Sequence, residues 1–171
     1  MNRFLLAFGM FLYTLSYGAT LMAMQLHSSA FEQGKMIPEQ YGCHGKDISP
    51  LLKWNNTPEG TKSLVLIMDD PDAPMGIWDH WILFNLPPET RELPENTQQL
   101  PAGTLVGKNS WGKNTYGGPC PPDKPHRYYF KLYALDKKLD LPMGSDKATI
   151  EKAMQSHILE QAELMGTYPT R

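Results

Sequence analysis

The side chains best suited to chemistry form one acidic stretch and two separate histidines. The stretch reads Met68-Asp69-Asp70-Pro71-Asp72-Ala73-Pro74, and two later apolar runs begin at or beside His80 and His126. Aspartate before proline is typical of a turn in which carboxylates cap local N–H groups. The same groups also suit a metal ion, which would take oxygen and nitrogen ligands from Asp70, Asp72, His80 and His126. A third interpretation is an anion pocket, in which a carboxylate keeps one or both imidazoles protonated as donors to phosphate or carboxylate.

The sequence offers no evident hydrolytic nucleophile. Ser49 and Ser110 lack Gly-x-Ser-x-Gly surroundings, and neither cysteine stands in a recognisable catalytic context. Glycine loops of the Walker or dinucleotide-binding type are also missing from the sequence. We therefore expect a binding protein with no cofactor, not an enzyme.

Three apolar runs are predicted to be the strands that position these side chains. The first is Ser63–Asp70, bounded by Glu59-Gly60 and Pro71, and the others are residues 79–86 and 127–135. Alternation gives each run an apolar row with a polar group at one end. The three predicted rows are Leu64, Leu66, Met68 and Asp70; His80, Ile82, Phe84 and Leu86; and His126, Tyr128, Phe130 and Leu132. Antiparallel pairing of the first two runs would make Asp70 and His80 neighbours.

The sequence also predicts two shorter strands and a C-terminal helix, from weaker patterns. Residues 24–31 suit an edge strand and residues 51–54 a short strand. A C-terminal helix is expected from Ser145 or Asp146 as its cap to Gly166 and Pro169. Four apolar side chains stand at helical spacing within it: Ile150, Met154, Ile158 and Ala162.

Composition favours a single globular domain. Of 171 residues, 41% are hydrophobic and 20% are charged, which is the normal range for one domain with its own core. The net charge of -2 comes with no cluster of lysine and arginine, so we expect no nucleic-acid partner. The 15 prolines and 14 glycines, spread along the chain, predict many short strands joined by turns.

The N-terminus has the layout of a secretory signal peptide. Arg3 precedes a long apolar segment that ends at the small residues Ser16, Gly18 and Ala19. We expect a signal peptide over residues 1–18, cleaved between 18 and 23, and one domain over 24–171. An uncleaved anchor is the alternative, because no charged residue occurs from 4 to 26. Both place the domain in the periplasm or outside the cell, with Arg3 inside.

Export bears on the two cysteines. In an oxidising compartment Cys43 and Cys120 are expected to form a disulfide, and each stands beside glycine or proline in a loop. Two unpaired thiols remain the alternative, since the sequence does not give the Cα separation that a bridge requires.

Five motifs in order resemble the phosphatidylethanolamine-binding protein family, and its bacterial branch of Raf kinase inhibitor-like proteins in particular. They cover most of the chain from about residue 24 to 168. The motifs are Cys43-x-Gly45-x-Asp47-Ile48-Ser49-Pro50, Asp70-Pro71-Asp72-Ala73-Pro74, Trp78-x-His80-Trp81, Gly117-Gly118-Pro119-Cys120-Pro121-Pro122 and His126-Arg127-Tyr128.

The resemblance implies a mainly β fold, an antiparallel Greek-key β-sandwich with a few peripheral helices and one pocket for a phosphate-like anion. By motif, Asp70 matches the family's pocket aspartate, and His80 and His126 match its two histidines. The other residues that match ligand-binding positions are Asp72, Pro74, Trp78, Gly118, Pro119 and Tyr128. Asp72 stands where it can brace the turn as well as touch a ligand.

Departures from the eukaryotic pattern limit what the resemblance implies about partners. The connection 71–78 is short, and the C-terminal segment is of the bacterial kind. We expect a small phosphate- or carboxylate-bearing ligand, of which a phospholipid head group is one form. The alternatives are an inhibitor that binds a protease or kinase through the pocket rim at Trp78 and Pro119, and a metal-dependent hydrolase.

Overall fold

The computed structural model describes residues 22–170. The predicted signal peptide, residues 1–18, and most of the competing anchor segment lie outside the described residues. Within residues 22–170, no helix has both the length and the hydropathy needed to cross a membrane.

Two antiparallel sheets make up the fold. Three short strands form the smaller sheet in the order β1 (Gln25–His27), β2 (Leu52–Asn55) and β5 (Glu92–Leu93). Five strands form the larger sheet, with β6 (Leu105–Val106) followed by β4 (Trp78–Leu86), β3 (Ser63–Asp70), β7 (His126–Leu135) and β8 (Ile158–Tyr168). One α-helix, α1 (Lys147–Met154), and a 3-10 turn at Glu39–Tyr41 accompany the sheets in the described part. The mainly β fold class is confirmed, and residues 22–170 contain one α-helix instead of several.

Strand β3 lies at the centre of the larger sheet, and all eight of its residues are buried. Leu64, Leu66 and Met68 face the main core between the two sheets. Val65 and Ile67 face a second core that α1 covers. Burial on both faces explains why this strand is apolar throughout instead of alternating with polar residues.

Strands β3 and β4 pair antiparallel through the connection 71–77, as predicted from the sequence. Asp70 is opposite Trp78, and Met68 is opposite Trp81. The structure begins β4 one residue earlier than predicted, and β7 begins at His126 itself. The end of β3 therefore lies beside the start of both neighbouring strands, which gathers their polar residues at one edge.

The predicted row of His80, Ile82, Phe84 and Leu86 is wrong. The pairing passes from Met68–Trp81 to Asp69–Asp79 and leaves His80 as an extra residue, which is a β-bulge. Ile82 and Phe84 consequently lie in the second core. The His80 ring contacts the Tyr128 ring, which belongs to the main core, with centroids 5.2 Å apart. A second register shift near Asn85, whose φ is 58°, returns Leu86 to the main core.

The predicted C-terminal helix is right at its start and wrong in its length. Asp146 caps α1 by accepting a hydrogen bond from the Thr149 backbone N–H at 2.8 Å, and Ile150 and Met154 are buried. After Met154 the chain forms β8, where the side chain of Ile158 is exposed. Alternating β8 residues are buried against the main core instead, among them Ala162, Leu164 and Tyr168. Packing and pairing with β7 over ten residue pairs override the helical spacing.

Candidate functional site

A cavity of about 340 Å³ opens where the end of β3 meets the starts of β4 and β7. Its volume is in the range of small-ligand sites. Ten residues line it: Asp70, Ala73, Pro74, Met75, Trp78, His80, Trp111, Cys120, Pro122 and His126. The structure thus brings five of the predicted ligand-binding residues to one cavity, namely Asp70, Pro74, Trp78, His80 and His126.

Asp70 and His126 form the charged pair of the site. Asp70 ends β3 and His126 begins the adjacent antiparallel β7, so the two side chains meet at the same edge of the sheet. His126 Nδ1 lies 2.7 Å from Asp70 Oδ2, and both side chains are buried. The second oxygen of Asp70 accepts a hydrogen bond from the backbone N–H of Asp72 at 2.8 Å. The carboxylate therefore has fixed partners on both oxygens.

The second nitrogen of His126 also faces a carboxylate. Nε2 lies 3.0 Å from Oδ1 of Asp123, in the loop that precedes β7. Burial opposes the positive charge, but hydrogen bonds and attraction from Asp70 and Asp123 outweigh it and raise the pKa of His126. Because carboxylates accept hydrogen bonds, this arrangement suits an imidazolium that donates from both nitrogens.

Of the two histidines that line the cavity, His80 is the neutral one. Its Nδ1 donates to the carbonyl oxygen of Gly117 at 2.7 Å, which leaves Nε2 as the acceptor of the neutral ring. Burial lowers the pKa of His80, in spite of the opposing effects of Gly117 and Asp70. The sequence suggested that either imidazole could be protonated. The geometry favours His126 as the protonated one.

Tyr128 lies beneath the cavity and not in its wall. The side chain is fully buried, and its ring meets the rings of His80 and Tyr168 edge-on. Burial, followed by the negative charge of Asp70, raises the pKa of Tyr128 far above the ordinary value. Its hydroxyl therefore stays protonated, and Tyr128 supports His80 from below.

Asp72 points away from the cavity lining and toward Arg127. Its carboxylate accepts from Arg127 Nη2 at 2.6 Å, from Nε at 2.8 Å and from the backbone N–H at 3.0 Å. The Arg127 hydrogen bonds lower the pKa of Asp72 to about 2. This bidentate ion pair links the residue two positions after the end of β3 to the start of β7. It thereby holds Asp70 close to His126.

Gly118 and Pro119 hold two loops together behind the cavity. The backbone N–H of Gly118 donates to Asp47 Oδ1 at 2.6 Å, and the carbonyl of Pro119 accepts from the Cys43 backbone at 3.0 Å. A disulfide between Cys43 and Cys120, with a Cα separation of 5.3 Å, joins the same loops. Neither Gly118 nor Pro119 lines the cavity, whereas Cys120 does.

Alanine at position 118 is expected to destabilise the protein by about 3 kcal/mol, because a Cβ there cannot be accommodated without shifting backbone. The added atom would clash with the carbonyl oxygen of Tyr41 and lie 2.9 Å from the Cα of Gly42. Urea unfolding measures the loss. Gly103→Ala is the control, since nothing surrounds Gly103 and only its φ of 89° opposes a side chain. Equal losses in the two variants would contradict this packing.

Sequence reasoning missed five residues of the site: Ala73, Met75, Trp111, Pro122 and Asp123. The ring of Trp111 lies 5.4 Å from the Trp78 ring and 5.0 Å from the His80 ring. Trp111 belongs to a segment that no periodicity divides, so the sequence carries no signal for it. The sequence does carry a signal for Asp123, because this residue stands three positions before His126 in a proline-rich loop.

The metal-site interpretation receives no support from the arrangement of the acids and histidines. The part of the chain that the structure describes has no group of three or more His, Cys, Asp or Glu placed to hold a metal ion. Asp72, one of the four suggested ligands, is engaged by Arg127.

Comparison with known proteins supports the resemblance seen in the sequence. The model of the phosphatidylethanolamine-binding protein family matches residues 27–169. A UPF0098 protein of Methanothermobacter thermautotrophicus is 47% identical over 148 residues, covering 85% of this chain and 98% of the relative. A UPF0098 protein of Aquifex aeolicus is also 47% identical, over 150 residues that cover 85% of this chain and 88% of that one.

Two crystal structures have closely similar folds. One is a phosphatidylethanolamine-binding protein homologue of Chlamydia trachomatis, with a TM-score of 0.82 and 46% identity, covering 87% of this chain and 99% of the other. The second is Escherichia coli YbcL, described as a member of the mammalian family, with a TM-score of 0.82 and 32% identity. That match covers 88% of this chain and 100% of the other.

Proposed function

This chain belongs to the phosphatidylethanolamine-binding protein family, and we propose that its cavity binds a small phosphate- or carboxylate-bearing anion. Family membership supports a non-catalytic binding role in general. The nature of the ligand is inferred from the chemistry of the cavity wall.

The observation that carries the proposal is the buried ring of His126 in the wall of the cavity, with a carboxylate at each of its two nitrogens, an arrangement that favours the imidazolium. Asp70 and Asp123 favour the charged ring, and its Nε2–H, which donates to Asp123, is the donor that an oxyanion would use. Charge-assisted hydrogen bonds of this kind are stronger than neutral ones. Exclusion of water by the surrounding side chains strengthens them further.

The rest of the wall indicates what the anion is attached to. Apolar side chains make up most of the lining: Ala73, Pro74, Met75, Trp78, Trp111 and Pro122. A cavity of about 340 Å³ has room for more than a phosphate ion. We infer a ligand with one anionic group on a small organic body, and a phospholipid head group is one member of this class.

The periplasm or the cell exterior is the proposed location. The bridge between Cys43 and Cys120 supports it, because disulfides persist in oxidising compartments. The apolar N-terminal segment of the sequence points to the same location.

Calorimetry with phosphate, phosphorylethanolamine and acetate tests the ligand class. Binding is expected to be complete below the histidine reference pKa of about 6.5 and to be lost as pH rises through the raised pKa of His126. His126→Gln is expected to weaken phosphate binding at least about tenfold, the scale of a hydrogen bond to a charged group.

His157→Gln is the matched control. His157 also pairs with an aspartate, Asp136, at 2.8 Å, but it lies on the surface away from the cavity. Its replacement should leave phosphate binding unchanged. Negligible heats for the wild-type protein with all three compounds, or equal heats for the wild type and His126→Gln, would rule out the proposed site.

Inhibition of a partner protein is a second candidate, and the exposed rim of the cavity favours it. Met75 is 92% exposed, Ile77 is 59% exposed and Trp111 is 44% exposed. Exposed apolar groups of this size commonly take part in protein contacts. Capture of a protease or kinase that depends on the rim but persists in His126→Gln would favour this candidate over anion binding.

A further inference from the structure

We propose that Asp123 competes with the ligand for His126. Its carboxylate accepts the hydrogen bond from His126 Nε2 that the anion must accept in order to bind. Binding then requires the Asp123 side chain to leave. This inference rests on the proposed anion-binding function and assigns Asp123 as a residue that controls how tightly the anion binds.

Hydrogen-bond geometry defines the competition. The ring of His126 has two nitrogens, and Nδ1 is held by Asp70 at 2.7 Å. Nε2 is the remaining donor, and Asp123 Oδ1 accepts from it at 3.0 Å. An oxyanion in the cavity would use the same N–H, so the ligand and Asp123 are alternatives to each other.

The two carboxylates differ in how easily they can leave. Asp70 is buried and is also held by the backbone N–H of Asp72, so its departure would leave polar groups without partners. The side chain of Asp123 is 53% exposed, and its other hydrogen bond is a local one to the backbone N–H of Lys124. Water can therefore replace the contacts of Asp123 at little cost.

The backbone around Asp123 is restrained, which limits the movement to a side-chain rotation. Pro121, Pro122 and Pro125 fix their own φ angles, and Cys120 is tied to Cys43 by the disulfide. Displacement of the carboxylate therefore does not require the loop to rearrange.

The charges around His126 show why Asp123 has to be displaced before an anion can bind. Asp70 comes from β3, Asp72 from the connection after β3 and Asp123 from the loop before β7, while the neutral groups are His80 from β4 and Tyr128 from β7 itself. No lysine or arginine is among the residues that line the cavity. Asp70, Asp123 and His126 together carry one negative charge, which repels an anion until Asp123 turns to solvent.

Asp123→Asn separates two opposing effects of this carboxylate. The change replaces the charged acceptor on His126 Nε2 with a neutral amide oxygen, which is a weaker competitor, and this favours ligand binding. It also removes one of the two negative charges that raise the pKa of His126, so the imidazole loses its proton at a lower pH. At a pH of about 5.5, below the histidine reference value, the first effect dominates.

The test measures phosphate affinity by calorimetry at about pH 5.5 and the titration of His126 by NMR without phosphate. We expect Asp123→Asn to bind inorganic phosphate about three- to fivefold more tightly than wild type, the scale of an exposed charge pair. The His126 midpoint should fall. Asp136→Asn is the matched control, because it neutralises the carboxylate of another exposed aspartate–histidine pair, with His157, and should change neither quantity.

The outcomes distinguish failure of the competition from failure of the anion site. Equal phosphate affinity in the wild type and Asp123→Asn would overturn the role of Asp123 and leave anion binding intact, as would an unmoved His126 midpoint. Tighter binding with a lowered midpoint would support the role. Absence of phosphate binding in both proteins would reject the anion site itself, and the competition with it.

Discussion

Replacing Cys43 and Cys120 together by serine is expected to lower the free energy of unfolding by about 4 kcal/mol. The two cysteines are 77 residues apart in the sequence. Without the bridge, the unfolded chain regains the conformational freedom of a loop of that length, which is the source of the loss. The native loops keep the Gly118–Asp47 and Cys43–Pro119 hydrogen bonds, so the folded state persists.

Thermal and urea unfolding under oxidising conditions measure this effect. For a domain of this size, about 4 kcal/mol corresponds to a fall in Tm of about 10 °C. The internal control is the response to reductant, which should destabilise the wild type by a similar amount and leave the double variant unchanged. A loss below about 1 kcal/mol in both comparisons would show that the bridge contributes little to stability.

Asp70→Asn is expected to cost about 3 to 5 kcal/mol at low pH, because it leaves the buried imidazolium of His126 without its main counter-charge. The cost depends on pH in a direction that the structure fixes. The pKa of His126 is raised in the folded protein, so this pair contributes fully below the unfolded value of about 6.5 and is lost as pH rises through the folded pKa. The destabilisation should therefore be largest near pH 5.5 and smaller near pH 8.

Urea unfolding at several pH values gives the required curve, and NMR should show a lowered midpoint for His126. Asp72→Asn is the matched control, since Asp72 stands two residues away but pairs with the half-exposed Arg127. The free energy of unfolding that Asp72→Asn loses should be much smaller. It should not vary between pH 5.5 and 8, because the pKa of Asp72 is about 2. A flat pH dependence for Asp70→Asn would mean that His126 is not the charged partner.

Much of the fold could be predicted because its central strands are apolar over long runs. The continuous run 63–70 and the aromatic run before Leu135 gave strands close to their observed bounds, and Pro71 marked where β3 ends. Antiparallel pairing through a short connection then placed Asp70 near the start of β4. The family resemblance supplied the ligand-binding roles that spacing alone left open.

The errors arose where pairing, and not local pattern, decides the structure. One helix would suit the spacing of Ile150, Met154, Ile158 and Ala162. The edge of β7 is available for pairing along its length, however, and residues 158–168 pair with it as a strand. The bulge at His80 likewise depends on how β4 is aligned with β3, which the alternation of a single strand does not reveal. Trp111 reaches the cavity through a loop with no periodicity, and only the three-dimensional structure shows it.

The position of β8 has a consequence for the order in which the protein can assemble as its chain emerges from the N-terminus onward. The strand that begins with His126 is paired with β3 on one side and along its whole length with residues 158–168 on the other. A chain that has emerged only to residue 135 has exposed every cavity-lining side chain, but the outer edge of β7 is still unpaired. Such an edge can pair with strands of other chains. The cavity residues are thus all made before the strand that secures them, and the nascent protein has to stay unaggregated until that strand emerges.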